Sequence, residues 1–367
     1  MSVKNALHIN SYFLDNKIHY NLRNAVLKYR PDIFLIPVYK SFKAEKHIDG
    51  LDVDYIFDKT DKIFFFTKAL KVIKLAYKKK LTEGYTYIHA HTLISDGIPA
   101  YLLSRITKKK LAITVRSADV DVYMKKSGLF RFIANKILTA ANMVFFVSPA
   151  YKEKVINIFP HIDNKKYFPL PNGIDDFWLK NQHTKNKTTE DLKTVNILFV
   201  GQIIKRKKLD LLIDFVKKYN DRKYVLNIVG KNSLNLNFNQ ISKSVNNGNV
   251  INYIGEVKDR NKLLEIYKNN DVFILLSYRE TFGVVYIEAL SQGLPIIYTR
   301  GDGVDGYFKE GEVGYSCSNE SMDELKEKLD LVVANYSSLT QNTTKISQNF
   351  EWDHLIKNYI NNINNNL

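Results

Sequence analysis

The chain has one cysteine, Cys317, in 367 residues. A single thiol excludes an intrachain disulfide and a cysteine metal cluster, and fits a reducing compartment. Long apolar runs are also missing; none approaches the roughly 18 residues of a spanning helix. The N-terminal stretch lacks the basic, apolar and small-residue layout of a secretion signal, so a cytoplasmic location is expected. No helix-turn-helix, zinc or RNA-binding signature accompanies the basic charge, which argues against a nucleic-acid partner. What is present is 45% hydrophobic and 25% charged, as in soluble globular proteins. The length exceeds one ordinary core and suits two domains.

The net charge of +16 is unevenly placed. Residues 1–180 hold 30 basic and 16 acidic side chains, against 24 and 22 in residues 181–367. A lineage bias toward lysine would affect both halves. The asymmetry implies an anionic partner for the first half: a membrane surface, a lipid diphosphate or, from charge alone, nucleic acid. The lysine-rich apolar stretch 64–80 is expected to lie at such a surface, or to be a core helix with a solvated lysine face.

Strand and helix patterns alternate twice. In the first half, strands are expected at 5–10, 32–38, 87–91, 111–115 and 143–147, with helices at 19–29, 64–80, 97–106 and 130–141. After the turn-rich Phe168-Pro-Leu-Pro-Asn-Gly-Ile-Asp175 and a polar stretch, alternation resumes at Val195. Such alternation implies parallel sheets with helices on both faces. The expected organisation is a domain over 1–178, a linker over 179–194, a second domain over 195–348, and a helix over 349–367. Two such units would face each other across a cleft.

The most informative run is Glu280-Thr-Phe-Gly-Val-Val-Tyr-Ile-Glu288, with carboxylates eight positions apart. It follows the apolar strand 271–277 and leads into a helix stopped at Gly293. Both carboxylates can then reach the carboxyl edge of a parallel sheet, where open α/β folds bind ligands. Ionised carboxylates there can accept hydrogen bonds from sugar hydroxyls. The run, with Ser277-Tyr-Arg-Glu280 before it and Gly293-Leu-Pro295 after it, resembles the E-x7-E motif of family 4 retaining glycosyltransferases. Tyr87-Ile-His-Ala-His91, Thr114-Val-Arg-Ser-Ala-Asp119 and Pro171-Asn-Gly-Ile-Asp175 are similar to blocks of that family's first domain. The resemblance implies the GT-B fold, two Rossmann-like domains with a final helix crossing back to the first, beginning near Phe350-Glu-Trp352.

It also implies roles. Glu280 would face the donor sugar, and Glu288 the ribose of the nucleotide. Backbone amides of Thr281, Phe282 and Gly283 would face sugar or phosphate. Gly201-Gln-Ile-Ile-Lys-Arg-Lys-Lys208 opens a helix, where a diphosphate is favoured. Lys207 matches the family's lysine, whereas Gln202 replaces its arginine and Lys208 its second glycine. Arg206 is then a further phosphate contact, and Gly201 lets the ligand approach. Glu280, Lys207 and Arg116 are the expected catalytic set. Arg116 stands where relatives carry histidine; it cannot act as a base but can clamp an oxyanion.

Acceptor contacts are expected from Asn16, Lys17, His19, His91 and Asp119 in the first domain. His91 and Asp96 also read as a loop histidine and a helix cap. The Asp119-Val-Asp121 and Asp52-Val-Asp54 pairs are discounted as metal sites, so neither metal nor cofactor is expected. The reaction implied is retaining transfer of a hexose or N-acetylhexosamine from a nucleotide sugar, a UDP-sugar, to a lipid-linked glycan in surface polysaccharide synthesis. The enzyme would sit peripherally at the inner face of the cell membrane. The alternatives are a soluble or protein acceptor, a basic nucleic-acid-binding protein, and an inactive sugar-nucleotide-binding protein.

Overall fold

A computed structural model of the chain describes residues 5–15, 17–42, 51–62 and 65–367. The chain divides into two compact units, Met1–Gly173 with Trp352–Leu367, and Ile174–Glu351.

The first unit holds β1 (Ala6–Ile9), β2 (Ile33–Leu35), β3 (Pro37–Tyr39), β4 (Asp54–Phe57), β5 (Tyr87–Ala90), β6 (Lys110–Val115), β7 (Met143–Phe146) and β8 (Tyr167–Pro169). Six of these form one parallel sheet in the order β2-β1-β5-β6-β7-β8, and β3 pairs with β4 apart from it. Strands β1, β5 and β7 are buried at every residue; β7 is accordingly an unbroken apolar run, while β1 and β5 are apolar apart from the buried His8 and His89. The single strand expected over 32–38 is two. Pro37 has no amide proton to continue the ladder, and the chain leaves the large sheet before it.

The helix Trp352–Asn366 belongs to this first unit. It buries Trp352, Leu355, Ile356, Tyr359 and Ile363. Tyr359 and Ile363 pack on Ala6, Tyr87, Ala112 and Phe145, while Trp352 and Ile356 pack on Leu22, Ala25 and Val26. At about 1.5–3 kcal/mol per buried large side chain, this face contributes on the order of 10 kcal/mol, as an upper value. Gly173 is required beneath it, since a Cβ there would lie 2.4 Å from the Trp352 indole.

The second unit holds β9 (Thr194–Val200), β10 (Lys223–Val229), β11 (Val250–Gly255), β12 (Val272–Leu275), β13 (Ile296–Thr299) and β14 (Gly314–Cys317). They form a parallel sheet in the order β11-β10-β9-β12-β13-β14. Strand β14, Gly-Tyr-Ser-Cys, has too little apolar character to be read from sequence. Gly314 admits it to the sheet, because a Cβ would lie 1.8 Å from the Ile296 carbonyl oxygen. The segment expected as a linker over 179–194 packs on this unit instead. Lys187 pairs with Asp271 at 2.6 Å, the Thr189 hydroxyl donates to the Val333 carbonyl at 3.0 Å, and Lys185 donates to the Lys268 carbonyl.

Each sheet reverses its strand order at one point, between β1 and β5 in the first and between β9 and β12 in the second. Loops leaving the carboxyl ends of neighbouring strands part there, and open α/β sheets bind ligands in the gap. Asn10 and His91 follow β1 and β5; Gly201 and Glu280 stand after β9 and β12.

Candidate active site

In the second unit the loop after β9 runs back against the loop after β12. Lys205–Lys207 form a short 3-10 turn, and Lys208 takes a left-handed conformation at φ +51°. That backbone is the physical reason for a glycine at this position in the related pattern. The Tyr278 amide donates to the Arg206 carbonyl at 3.0 Å and joins the two loops. Their side chains then converge on one atom, Glu280 Oε2. Lys207 Nζ lies 2.5 Å from it, the Ser277 hydroxyl donates to it at 3.1 Å, and an Arg206 guanidinium nitrogen lies at 3.3 Å. The other oxygen, Oε1, has no hydrogen-bond partner among the described residues. Burial opposes ionisation of Glu280, but the attraction and hydrogen bond of Lys207, with Arg206 and Ser277, hold its pKa below the usual glutamate value. The carboxylate is therefore charged at neutral pH, with one oxygen held and one available.

The turn that carries Glu280 is set by its surroundings. The Gly303 amide donates to the Glu280 carbonyl at 3.0 Å, and the Arg279 amide to Asp302 Oδ2 at 3.1 Å. Phe282 is fully buried against Tyr307 and Phe350, so its side chain anchors the turn. Gly283 has φ +82°, and a Cβ there would lie 2.5 Å from the Tyr286 ring. The helix Val284–Ser291 starts immediately after it. Among the described residues, the amides of Phe282 and Gly283 donate to no protein group, leaving them available at a positive helix end. Thr281 lies beside them, partly exposed.

Glu288 is on the same helix, where the Tyr267 hydroxyl donates to its Oε2 at 3.1 Å. Burial pushes its pKa up to about 7, against the hydrogen bond from Tyr267 and the attraction of Arg260. The two motif carboxylates thus differ: Glu280 is held ionised, and Glu288 titrates near neutrality. Gln202 is not part of the Glu280 cluster. Its amide donates to the Ser233 hydroxyl at 2.9 Å, across the adjoining loop. A cleft of about 300 Å³ opens at that loop, lined by Gly201, Gln202, Gly230, Lys231, Glu256 and Val257. Gly230 is required at its floor, because a Cβ would lie 1.9 Å from the Gly201 carbonyl oxygen.

In the first unit, Asn16 lies outside the described residues, and Lys17 is exposed at the start of the helix Lys17–Leu27. His19 is buried and hydrogen-bonds Asn10 at 3.0 Å; burial, then nearby Arg116, drives its pKa well down. His91 is buried too. His8 bridges it to Asp32, with 3.0 Å from His8 Nδ1 to His91 Nε2 and 3.0 Å from His8 Nε2 to Asp32. Arg116 Nε donates to the His91 carbonyl at 3.0 Å, and its terminal nitrogens have no partner among the described residues. Burial lowers the Arg116 pKa to about 10, so the guanidinium stays cationic at neutral pH.

Asp119, expected to contact the acceptor, is turned inward. It accepts the amides of Leu93, Ile94 and Arg116 at 2.9–3.0 Å and staples two loops together. Its neighbour Asp121 accepts from the Tyr151 hydroxyl at 2.5 Å, so the pair does not share a partner. Asp52 and Asp54 share the Lys79 ammonium at 2.8 Å each. Asp96 stands at the N-terminus of the helix Gly97–Thr107 without capping it; it accepts the Ser11 amide at 3.0 Å instead.

His8, His89 and His91 place three ring nitrogens within 4.8 Å of one another, the one cluster of metal-ligand type among the described residues. Their chemistry is that of a hydrogen-bonded stack. His89 and His91 lie face to face at 4.8 Å, and both His89 nitrogens are engaged at 2.8 Å, by Tyr359 and Thr114. Sequence reading missed Lys68, which is buried beside this region with its ammonium on the Ser11 and Ser95 hydroxyls. The signal was available: a lysine on the apolar face of an amphipathic helix, in register with Val72 and Leu75.

Residues 180–350, nearly the whole second unit, match the family described as glycosyl transferases group 1. The chain is 23% identical over 359 residues to an uncharacterized glycosyltransferase of Haemophilus influenzae, covering 96% of this chain and 84% of that protein. It is 26% identical over 277 residues to the capsular polysaccharide biosynthesis glycosyltransferase CapM of Staphylococcus aureus, covering 72% and 70%. Among solved structures it superposes on Anabaena HepE in complex with UDP with a TM-score of 0.72 and 15% identity, covering 98% of this chain and all of that one. The chain thus carries the GT-B fold along its length, and its second unit carries the domain described as glycosyl transferases group 1.

Proposed function

We propose that the chain moves a hexose or N-acetylhexosamine from a UDP-sugar to a lipid-linked glycan, with retention and without a metal, in surface polysaccharide synthesis. The observation that carries this reading is the state of Glu280. One oxygen is held by Lys207, Arg206 and Ser277, and the other is free to accept from a sugar hydroxyl. The departing diphosphate gathers negative charge, and the groups that would receive it are Lys207, Arg206 and the amides at the start of the helix Val284–Ser291. Among the described residues no carboxylate pair is arranged as nucleophile and acid, so catalysis would rest on positioning and charge stabilisation. The acceptor would attack from the leaving-group side, with the departing phosphate taking its proton. Arg116, cationic with terminal nitrogens unengaged, would hold an acceptor oxyanion. UDP is favoured by the HepE complex, and a polysaccharide acceptor by the name of the Staphylococcus relative.

The test incubates the purified chain with a panel of nucleotide sugars and measures slow donor hydrolysis, then the anomeric configuration of the product. Hydrolysis of one or more UDP-sugars is expected. Absence of hydrolysis for every donor, with no nucleotide binding, would remove the reading.

A further inference from the structure

In the first unit, three side chains far apart in sequence form one buried line of hydrogen bonds. Asp32 stands just before β2, His8 within β1 and His91 just after β5. Asp32 Oδ2 lies 3.0 Å from His8 Nε2, and His8 Nδ1 lies 3.0 Å from His91 Nε2. The line thus crosses the sheet from the amino end of β2 to the carboxyl end of β5. It ends on His91 Nδ1, a buried nitrogen with no hydrogen-bond partner among the described residues.

The far end decides where the protons sit. An ionised carboxylate can only accept. Burial opposes ionisation of Asp32, but His8, the Ala6 amide at 3.0 Å and Arg30 hold its pKa below the usual aspartate value. His8 Nε2 therefore carries a proton, and a neutral His8 presents a bare Nδ1. To meet it, His91 must carry its own proton on Nε2. Burial, with His89, His8, His19 and Arg116 nearby, drives the His91 pKa well down, so its ring is neutral. Its second nitrogen is then bare, able to accept and unable to donate. The His8 ring lies flat on Phe34 at 4.3 Å, which fixes the direction of both its hydrogen bonds. His89 stays outside the line, since Tyr359 and Thr114 engage both its nitrogens.

A buried lone pair left unmet is unfavourable, and the groups around this one belong to the expected acceptor region. The His19 ring meets the His91 ring edge-on at 6.3 Å, and Arg116 Nε donates to the His91 carbonyl at 3.0 Å. Arg116 offers donors to an oxyanion. A bare imidazole nitrogen offers the complement, a lone pair for a hydroxyl.

We propose that Asp32 and His8 are positioning residues that fix the tautomer of His91, so that its bare Nδ1 accepts a hydrogen bond from a hydroxyl of the incoming acceptor. The hydrogen bond orients the hydroxyl, and no proton passes to His91. That the incoming molecule is a glycosyl acceptor rests on the preceding section; the tautomer does not. Asp32→Asn keeps the shape and reverses the line. The Ala6 amide and Arg30 both face Oδ1 and need an oxygen there, so the asparagine nitrogen takes the place of Oδ2 and donates to His8. Protons then sit on His8 Nδ1 and His91 Nδ1, and the outer nitrogen turns from acceptor to donor.

The full chain is labelled with nitrogen-15 histidine and its imidazole resonances are read at neutral pH, where protonated and bare nitrogens are well separated. His91 is assigned by its loss in His91→Asn. Wild type is expected to show a bare Nδ1 and a protonated Nε2, and Asp32→Asn the reverse. In hydrolysis of a UDP-sugar, with water in the acceptor's place, Asp32→Asn should lose about tenfold in kcat, the scale of one hydrogen bond. KM should not change, because Glu280 and Lys207 are untouched. His91→Asn puts an amide oxygen in place of Nδ1, and in that background Asp32→Asn should cause no further loss. A merely structural Asp32 would lower both backgrounds alike, and that result would overturn the proposal. So would a reversed tautomer with unchanged kcat. A protonated Nδ1 in wild type would overturn it without any variant having to fold. Failure of wild type to hydrolyse every UDP-sugar would strike the preceding section and the acceptor's part here, while the spectra still judge the tautomer.

Discussion

Replacing Glu280 with glutamine should strengthen the binding of free UDP while abolishing transfer. Glu280 Oε2 lies 2.5 Å from Lys207 Nζ and 3.3 Å from Arg206. The lysine thus already has an anionic partner where a diphosphate would bind. A phosphate that takes over this lysine would lie about 5 Å from the Glu280 charge. At an effective dielectric of about 20, that is roughly 3 kcal/mol of repulsion per unit charge before screening. Glutamine keeps the shape and removes the charge. Allowing for the screening of a partly open site, we expect UDP to bind about 10–100-fold tighter, or roughly 1.4–2.7 kcal/mol. Transfer should fall by at least about 100-fold, since the charged acceptor aimed at the sugar is lost. Lys207→Ala should do the opposite to UDP, weakening binding and turnover by about 2–4 kcal/mol. Isothermal titration with UDP, beside turnover of the UDP-sugar, reads both. If Glu280→Gln weakens UDP as Lys207→Ala does, the carboxylate supports the phosphate site and the assignment to the sugar is refuted. A separate urea titration covers stability, because the variant leaves Lys207 without its carboxylate, a change worth up to about 3–5 kcal/mol in a buried pair.

Three further outcomes are expected. The His89 pKa is driven well down by burial, with nearby cations adding to it. Its contribution is therefore present above the unfolded value near 6.5 and is lost as pH falls, by about 1.4 kcal/mol per unit. The stability of wild type relative to His89→Gln should fall by that amount between about pH 6 and 5; parallel pH curves from urea titrations would refute it. Chelation should leave transfer intact, whereas loss in EDTA restored by Mn²⁺ would return attention to the histidine stack and to Asp119 and Asp121. Ile356→Ala, at a fully buried position of the C-terminal helix, should cost about 2–5 kcal/mol of unfolding free energy. An unshifted urea midpoint would show that this helix does not stabilise the first unit.

Local pattern was enough for much of this protein. Alternating apolar runs predicted parallel sheets, because strands buried on both faces are mostly apolar, as β7 is throughout. The spacing of Glu280 and Glu288 across a strand, turn and helix placed two carboxylates at the carboxyl edge of a sheet, and the resemblance to the family motif gave them their expected sugar and ribose roles. Lys207 was singled out by its match to the family's lysine, six positions after the glycine that follows β9, and the structure sets its ammonium on Glu280. What pattern could not supply was the partner of each side chain. Asp119 and Arg116 lie three positions apart in sequence and look alike as polar loop residues. Only packing decides that the carboxylate is consumed by three backbone amides while the terminal guanidinium nitrogens are left unengaged. The lysines of 64–80 count equally in a charge sum, yet Asp52, Asp54, Asp58 and Asp61 neutralise two of them, and Lys68 turns inward. Strand β14 was invisible because its place depends on a glycine that lets two backbones touch. Residue type and period determine which elements form and which chemistry is on offer. Contacts between residues distant in sequence decide which charges remain free to use it, because an ion pair or a buried amide removes a group from solvent whatever its neighbours in the chain.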